Sequence, residues 1–326
     1  LRWFLRSVCL HNQEILWLLS ITHKLMDADT NTPIPRKTLL GAPCSALFGD
    51  CLDVMQGMDS ETVDLIYIDP PYYSQADYKG DAGEFSDKWE SLHQYLDWMV
   101  VRLYEMKRLL KPTGSIYLHC DWHASHYLKV EMDKIFSYDN FVNEIVWCYK
   151  SGGASKKSFS KKHDNILFYS KTKNGFFFNS IKEKSYMGFN YSTGNKNVTL
   201  YDDDDGRGKY TMVNPKDWWE IGMLATSSKE RIGYPTQKPE ALLERIIRSS
   251  CPDGGTVADF FCGSGTTAAV ARRMGRKWIT CDNSQDAINL ATKRIFSLPN
   301  AQMNRTKAGI ELDPDYYEIC KARIIK

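Results

Sequence analysis

Short apolar runs alternate with longer amphipathic ones along most of this chain, and that alternation constrains the fold more than any other feature. Residues 45–50 (SALFGD), 63–69 (VDLIYID), 115–121 (SIYLHCD) and 143–149 (NEIVWCY) have the length and the β-branched and aromatic content of buried strands. Between them, residues 92–110 and 126–136 repeat apolar side chains at helical spacing, and Pro112 with Gly114 should stop the first of these helices. The pattern resumes beyond residue 235 as a helix (PEALLERIIRSSC), a strand (GTVADFF), a loop and helix (CGSGTTAAVARRM) and a strand (KWITCD). Elements alternating in this way predict an α/β, Rossmann-like fold, with a mostly parallel sheet and helices on both faces.

Two of the strand ends carry unusual residues. LIYIDPPYYSQ (Leu65–Gln75) stops on Asp69, then Pro70, Pro71, Tyr72 and Tyr73. An aspartate before two prolines sits on restricted, extended backbone, and proline presents a carbonyl with no N–H beside it. Asp69 and the Pro70 carbonyl can offer two acceptors to a planar amino group, and Tyr72 can offer an aromatic face. They stand at the carboxyl end of a strand, where α/β sheets hold ligands. An exocyclic base amine, with two N–H bonds on a ring, suits such a site; the plainer reading is a turn punctuated by prolines. The second strand end, ADFFCGSGTTAA, spaces Gly263, Gly265 and Ala268 as G-x-G-x-x-A at the opening of a helix. Asp282, nineteen residues past Gly263, stands where an acid accepts hydrogen bonds from a ribose. The glycine turn fits NAD as well as S-adenosylmethionine.

From Lys150 to Gly233 the helical period disappears. This stretch holds 15 Lys and Arg against 9 Asp and Glu, a net of +6 that leaves −4 for the rest of a chain whose total is +2. Aromatics recur in it, among them Phe159, Phe168, Tyr186, Trp218 and Trp219. Lysines suit phosphates and rings suit bases, so nucleic acid is weighed here against a solvated surface with a small core of its own. The nine cysteines include no C-x-x-C pair, which points to a reduced, cytoplasmic protein. No apolar run approaches a membrane span, so no membrane partner is expected. His11–Glu14 interrupt the apolar start of the chain, against a secretory leader. Phe4, Val8, Ile15, Leu18 and Leu25 mark an amphipathic helix for packing on the domain or on a second copy of the chain.

DPPY ahead of DFFCGSGTT, with a basic insert between them, resembles the β-class amino-DNA methyltransferases over residues 40–296. In that family the catalytic motif precedes the cofactor motif, a circularly permuted order. The resemblance implies S-adenosyl-L-methionine as cofactor and double-stranded DNA as substrate. It implies transfer of a methyl group to N6 of a flipped adenine, with Asp69, Pro70, Pro71 and Tyr72 catalytic. N4 of cytosine is the alternative; an Asp opening the tetrapeptide resembles the adenine members, whereas cytosine members more often carry Ser. LFGDCLDVM places Asp50 and Cys51 near the cofactor's adenine, and YPTQKPEALLERII places Lys238 and Pro239 near its methionine end. Asp69, Asp259, Phe260, Phe261, Gly263, Ser264, Gly265, Thr266, Thr267 and Asp282 complete the implied cofactor site. SFSKKHDNILFYSKT resembles the segment lining the target-base pocket, with Lys156, Lys157, Lys161, Lys162 and His163 on the nucleic acid. Phe260 departs from the proline usual in the family. The implied organisation is an N-terminal helical extension (1–38), a catalytic half (39–149), a target-recognition insert (150–235), a cofactor half (236–296) and a C-terminal tail (297–326). A homodimer and a separate restriction nuclease are compatible partners.

Three further features yield to plainer readings. His119, His123 and His126 in HCDWHASH read as polar residues at a strand end lining the cleft, since the chemistry needs no metal. YDDDDGRGKY lacks the glutamate that closes a calcium loop and reads as an acidic turn. Cys262 reads as small filler beside the cofactor. Residues 279–295 and 309–324 echo one another as a strand end bearing an acid and then a helix. Asp282 is expected on the ribose, because it follows the glycine turn by one crossover, and Glu311 in a tail packed elsewhere.

Overall fold

The computed structural model describes residues 44–152, 155–186, 199–204, 206–297 and, for the backbone alone, 323–325. All lie in the larger of the two units into which the chain divides, Leu40–Lys326. The helix expected in residues 1–38 and most of the C-terminal tail, Glu311 included, lie outside the described residues.

The central sheet runs, in spatial order, β11 (Trp218–Glu220), β6 (Phe141–Cys148), β7 (His163–Ser170), β5 (Leu110–Cys120), β2 (Val63–Ile68), β12 (Thr256–Asp259), β13 (Lys277–Asp282), β1 (Ser45–Phe48) and β14 (Arg323–Ile325). Every neighbouring pair is parallel except the two made by β7. β2 is buried along its whole length, as a central strand covered on both faces must be. Leu65, Tyr67, Tyr117, Phe168 and Val257 share one core with Leu242, Leu243, Ile246 and Ile247 of the Glu240–Ser250 helix. The same core takes in residues of the Thr266–Arg273 and Gln285–Ser297 helices. The alternate strand residues Ile66, Ile68, Ile116 and Leu118 are buried on the opposite face. On that side the Leu92–Leu109 and Ser125–Phe136 helices bury Met99, Leu103, Leu128 and Met132.

Residues 150–235 do not form a single separate insert. β7 threads between β6 and β5 with Asn165–Ser170 all buried, and β11 lies beside β6. Only β8 (Glu183–Tyr186), β9 (Tyr201–Asp202) and β10 (Lys209–Val213) form a sheet of their own, antiparallel and set with Tyr186, Tyr201 and Tyr210. The apolar core of β7 is only a few residues long, and the basic composition around it hides it. Cys44 is disulfide-bonded, against the expectation of wholly reduced thiols, while Cys51, Cys120, Cys148, Cys251, Cys262 and Cys281 are free.

The chain reverses direction across the sheet between β2 and β12. β2 leads through the Leu92–Leu109 helix to β5 on one side; β12 leads through the Thr266–Arg273 helix to β13 on the other. A sheet opens a ligand crevice at the carboxyl ends of the strands where such a reversal occurs.

Pro112 and Gly114 do not stop the first helix with a loop. Leu110 continues directly as β5, and the two residues fall in a bulge where β5 jumps from Leu110 opposite Val63 to Ser115 opposite Leu65. Asp64, the one charged residue in β2, holds this bulge. Its buried Oδ2 accepts from Lys111 Nζ in the bulge and from the Thr256 amide opening β12, each at 2.8 Å. Asp64→Ala leaves both donors without their acceptor and should cost about 3 kcal/mol in urea unfolding. Asp64→Asn, which keeps an acceptor, should lose clearly less; equal losses would show that hydrogen bonding at this position is not what matters.

Candidate active site

The loop after β2 is organised by a residue with no counterpart among the sequence expectations. Asp87 is 1% exposed. Its carboxylate accepts from the backbone N–H of Tyr72, Tyr73 and Ser74 at 2.8 to 3.0 Å, from Ser74 Oγ at 2.6 Å and from Trp89 Nε1 at 2.9 Å. Pro70 and Pro71 have no N–H, so these are the first donors available after Asp69, and three successive amides turn onto one anion. The turn places Tyr73 at φ 64° and Gln75 at φ 58°, left-handed values that the surrounding bonds sustain. Tyr95 donates from its hydroxyl to the Pro71 carbonyl at 2.8 Å.

Asp69 emerges from this loop at the mouth of the crevice. Its Oδ1 accepts from the Tyr72 hydroxyl, and its Oδ2 accepts from Lys238 Nζ at 2.5 Å. Burial, then the Asp69 charge, pushes the Tyr72 phenol well above its ordinary value, so it remains an O–H donor. The Tyr72 ring stacks on His119, with centroids 5.9 Å apart and planes inclined by 23°. His119 is fully buried and bonded on both sides, Nδ1 to the Tyr67 hydroxyl at 2.8 Å and Nε2 to Asp164 Oδ2 at 3.1 Å. From the HDN segment it is therefore Asp164 that reaches the Tyr72 pocket, while His163 is exposed at the start of β7.

The second wall follows β12. Asp259 is buried, its Oδ2 accepting from Thr267 Oγ1 at 2.6 Å and its Oδ1 from the Phe261 amide at 3.1 Å. Burial, reinforced by the nearby Asp69 and Asp282 charges, pushes its carboxyl up to about 7 against these bonds. Gly263 has φ 45° and Gly265 φ 70°; a Cβ on Gly263 would stand 2.8 Å from the Tyr234 ring, and one on Gly265 2.5 Å from Ala291 Cβ. Asp282 at the end of β13 accepts from the Gly263 amide at 2.8 Å and the Ser284 amide at 2.9 Å. Phe260 is buried where the family usually has proline. Burial raises the Cys262 thiol well above its ordinary value, as suits filler.

Asp50 is engaged rather than free. It caps the Cys51–Gln56 helix through the Leu52 amide, and both its oxygens take Arg102 Nη2, at 2.8 and 2.6 Å. The Arg102 guanidinium lies 3.9 Å over the Trp98 ring. Helical periodicity marks Trp98 and Arg102 only as residues of an amphipathic helix, so neither was legible as part of this wall. The same holds for the hairpin of β3 (Asp77–Gly80) and β4 (Gly83–Ser86), whose Tyr78 and Phe85 rings stack at 4.8 Å.

One cavity of about 360 Å³ joins the two walls. Asp50, Cys51, Asp69, Pro70, Pro71, Tyr72, Lys238, Asp259, Phe260, Phe261, Gly263, Ser264, Thr266, Thr267 and Asp282 all line it, so both motifs open into one space. Pro239 and Gly265 do not line it; the first precedes the Glu240–Ser250 helix and the second packs against Ala291. Lys156, Lys157 and Lys161 are exposed and away from it. Lys162 folds back on its own loop, donating to the Ser151 and Gly152 carbonyls at 2.9 and 2.6 Å.

The DNA methylase family matches residues 63–293, from β2 into the helix after β13. The chain belongs to the N6/N4 DNA methyltransferase family. Among similar proteins, type II methyltransferase M.HpaI of Haemophilus parainfluenzae is 30% identical over 253 residues, which span 76% of this chain and 73% of that protein. DNA adenine methyltransferase YhdJ of Escherichia coli (strain K12) is 30% identical over 285 residues, 82% of this chain and 93% of its own. The fold of this methyltransferase is shared by PvuII DNA methyltransferase (cytosine-N4-specific), with a TM-score of 0.57 at 18% identity over 85% of this chain and 93% of that one. It is shared too by the M1.HpyAVI–SAM complex, with a TM-score of 0.52 at 19% identity over 77% and 98%.

S-adenosylmethionine is the cofactor of this methyltransferase. The cavity fits it in charge and in shape. The cofactor carries sulfonium and ammonium groups, and Asp69, Asp259 and Asp282 line the space; Gly263 keeps backbone where a Cβ would strike Tyr234. A carboxyl raised to about 7 is largely neutral below that pH and ionised above it, and only the ionised form attracts a cation. Cofactor affinity should therefore rise several-fold between pH 6 and 8 and then level off. Asp259→Asn should flatten the rise; calorimetric titration across that range checks both, and a variant with the wild-type profile would assign the ionisation to another group.

Proposed function

We propose that this methyltransferase acts on double-stranded DNA and transfers the methyl group to N6 of an adenine flipped out of the helix. The observation that carries the reading is Asp69 at the carboxyl end of β2, tied to the Tyr72 hydroxyl and opening into the cofactor cavity. The adenine N6 lone pair is delocalised into the ring, which makes it a poor nucleophile. Asp69 and the Pro70 carbonyl accept its two N–H bonds and favour a pyramidal nitrogen with the lone pair free. Tyr72 stacks on the ring, and Asp69 takes the proton that the methylated nitrogen sheds. The bound cofactor supplies an already electrophilic methyl group, so the residues contribute positioning and placed charge. Flipping costs a few kcal/mol, which stacking on Tyr72 helps to offset.

In the same reading Asp282 receives the ribose hydroxyls, Lys238 the methionine end, and the Asp50–Arg102 side of the cavity the cofactor's adenine. Residues 150–235 carry target recognition through the loop before β7 and the small β8–β10–β9 sheet. The protein is cytoplasmic, and a restriction nuclease and a second copy of the chain are its compatible partners, in keeping with the type II methyltransferases among its relatives.

N4 of cytosine is the second target considered, because both are ring amines and a cytosine-N4-specific enzyme shares the fold. Digesting methylated DNA to nucleosides identifies the product; N6-methyladenine is expected, and N4-methylcytosine would overturn the choice of base. Asp69→Ala should abolish transfer while cofactor affinity stays within a few-fold. Near-normal turnover in that variant would remove Asp69 from the chemistry.

Lys156, Lys157 and Lys161 are proposed to contact phosphates. Replacing all three with Gln should flatten the dependence of log affinity on log salt by about 0.9 for each phosphate no longer neutralised, on every DNA sequence tried. An unaltered slope would take this loop out of the interface.

A further inference from the structure

Tyr72 is held at both ends, and the plane of its ring is set most directly by what packs on its face. Its backbone N–H is bound by Asp87 and its hydroxyl by Asp69. The hydroxyl oxygen lies on the axis about which the ring spins, so the bond to Asp69 constrains that rotation only through the direction of the O–H, which lies in the ring plane. Contacts against the faces of the ring set it more firmly: His119 stacks on it, and Lys238 Nζ stands 5.6 Å from its centroid. The histidine plane is itself fixed, because its two bonded nitrogens lie off its own rotation axis.

The donors around His119 define one arrangement. The Tyr67 hydroxyl makes one hydrogen bond among the described residues, to Nδ1, and burial holds its phenol well above its ordinary value. It therefore donates to Nδ1, which leaves the proton of a neutral imidazole on Nε2, facing Asp164. Tyr149 donates to the other Asp164 oxygen at 2.9 Å. Trp147 meets the histidine edge-on, at 5.4 Å and 84°. Asp164 is pushed up by burial, yet hydrogen bonds from His119 and Tyr149 and the charge of Lys238 hold it below the ordinary carboxylate value, so it stays an acceptor.

We infer that the hydrogen-bonded chain Tyr67–His119–Asp164–Tyr149 is a positioning device that helps set the plane of the Tyr72 ring, and through it the plane in which a flipped base is presented to Asp69. Tyr67 also lines the cavity, whereas His119, Asp164 and Tyr149 do not, and these three act through Tyr72. The inference rests on the proposed stacking of a target base on Tyr72, and it holds for either ring amine.

The test separates orientation from charge and from stability. Turnover is measured on unmodified duplex; fluorescence is read on a duplex carrying 2-aminopurine, which has no 6-amino group to methylate, at the target position mapped from the wild-type product. Asp164→Asn keeps an acceptor for Nε2–H; Asp164→Ala does not. Asp164→Ala should lower kcat roughly 10- to 100-fold, the scale of a misplaced reacting group, with cofactor affinity within about twofold of wild type. Its 2-aminopurine should fluoresce more brightly on binding, as a base less well stacked. Asp164→Asn should restore kcat to within about threefold. Equal kcat losses in the two variants would show that charge is what matters and overturn the inference. A lowered melting temperature with unchanged kcat and fluorescence would reduce the chain to a structural role. Should Asp164→Ala fail to fold, Tyr67→Phe, which removes only the Nδ1 donor, decides in its place: a several-fold loss of kcat at constant cofactor affinity is expected, and wild-type kcat and fluorescence refute. If the wild-type protein transfers methyl to no amine in DNA, the proposed target falls first, and the positioning role falls with it.

Discussion

β2 and β12 are neighbours in the sheet although nearly two hundred residues separate them, and the site exists because of that one parallel pairing. The register Val257 opposite Leu65 and Ala258 opposite Ile66 brings Asp259 level with Tyr67, two residues before Asp69. The chain leaves the two strands in opposite directions, so no crossover covers the gap between their carboxyl ends. Asp64 secures the other end of the same pairing by holding the Thr256 amide. A shift of one residue would turn Tyr67 and Val257 out of the core they share and displace both acids together.

The pairing concentrates negative charge. Asp69, Asp259 and Asp282 face one cavity, and each is compensated differently. Asp69 is met by Lys238, Asp282 by two backbone amides, and Asp259 by a hydroxyl and one amide, which do not prevent its carboxyl from rising to about 7. Lys238 is itself placed by a buried cluster. Thr266 Oγ1 reaches the Lys238 carbonyl at 3.3 Å, and Arg294 bridges Thr266 and Glu240, at 2.7 Å to each. Glycine turn, lysine and the helix after β13 thus form one assembly, and a cationic cofactor enters a space where carboxylates outnumber their cations.

Around Asp69 and Tyr72, rigidity comes from hydrogen bonds that proline makes available. With no N–H on Pro70 or Pro71, the next three amides turn onto Asp87, and Tyr72 leaves the loop in one direction. Buried aromatics then take over, His119 against its face and Trp147 against the edge of His119. Tyr72 is thus gripped through its neighbours at its backbone, its hydroxyl and its ring face.

The amino-acid sequence by itself determined the alternating α/β architecture, the strand that ends on Asp69, the glycine turn and the acid that ends β13. Each is written in a stretch of about ten residues, where periodicity, proline and glycine act locally. It did not disclose that residues 163–170 form a core strand, because a short apolar run inside a basic segment is averaged away. Nor did it mark Asp87, Asp164 or Arg102, and it placed His119 on the cleft lining, whereas His119 is fully buried behind Tyr72 and does not line the cavity. An acid beside a tryptophan, a histidine inside a strand and an arginine on a helix have no local signature of their roles. Only the tertiary structure decided them, because their partners lie tens of residues away, and burial with matched donors and acceptors is what turns ordinary polar residues into the supports of a site.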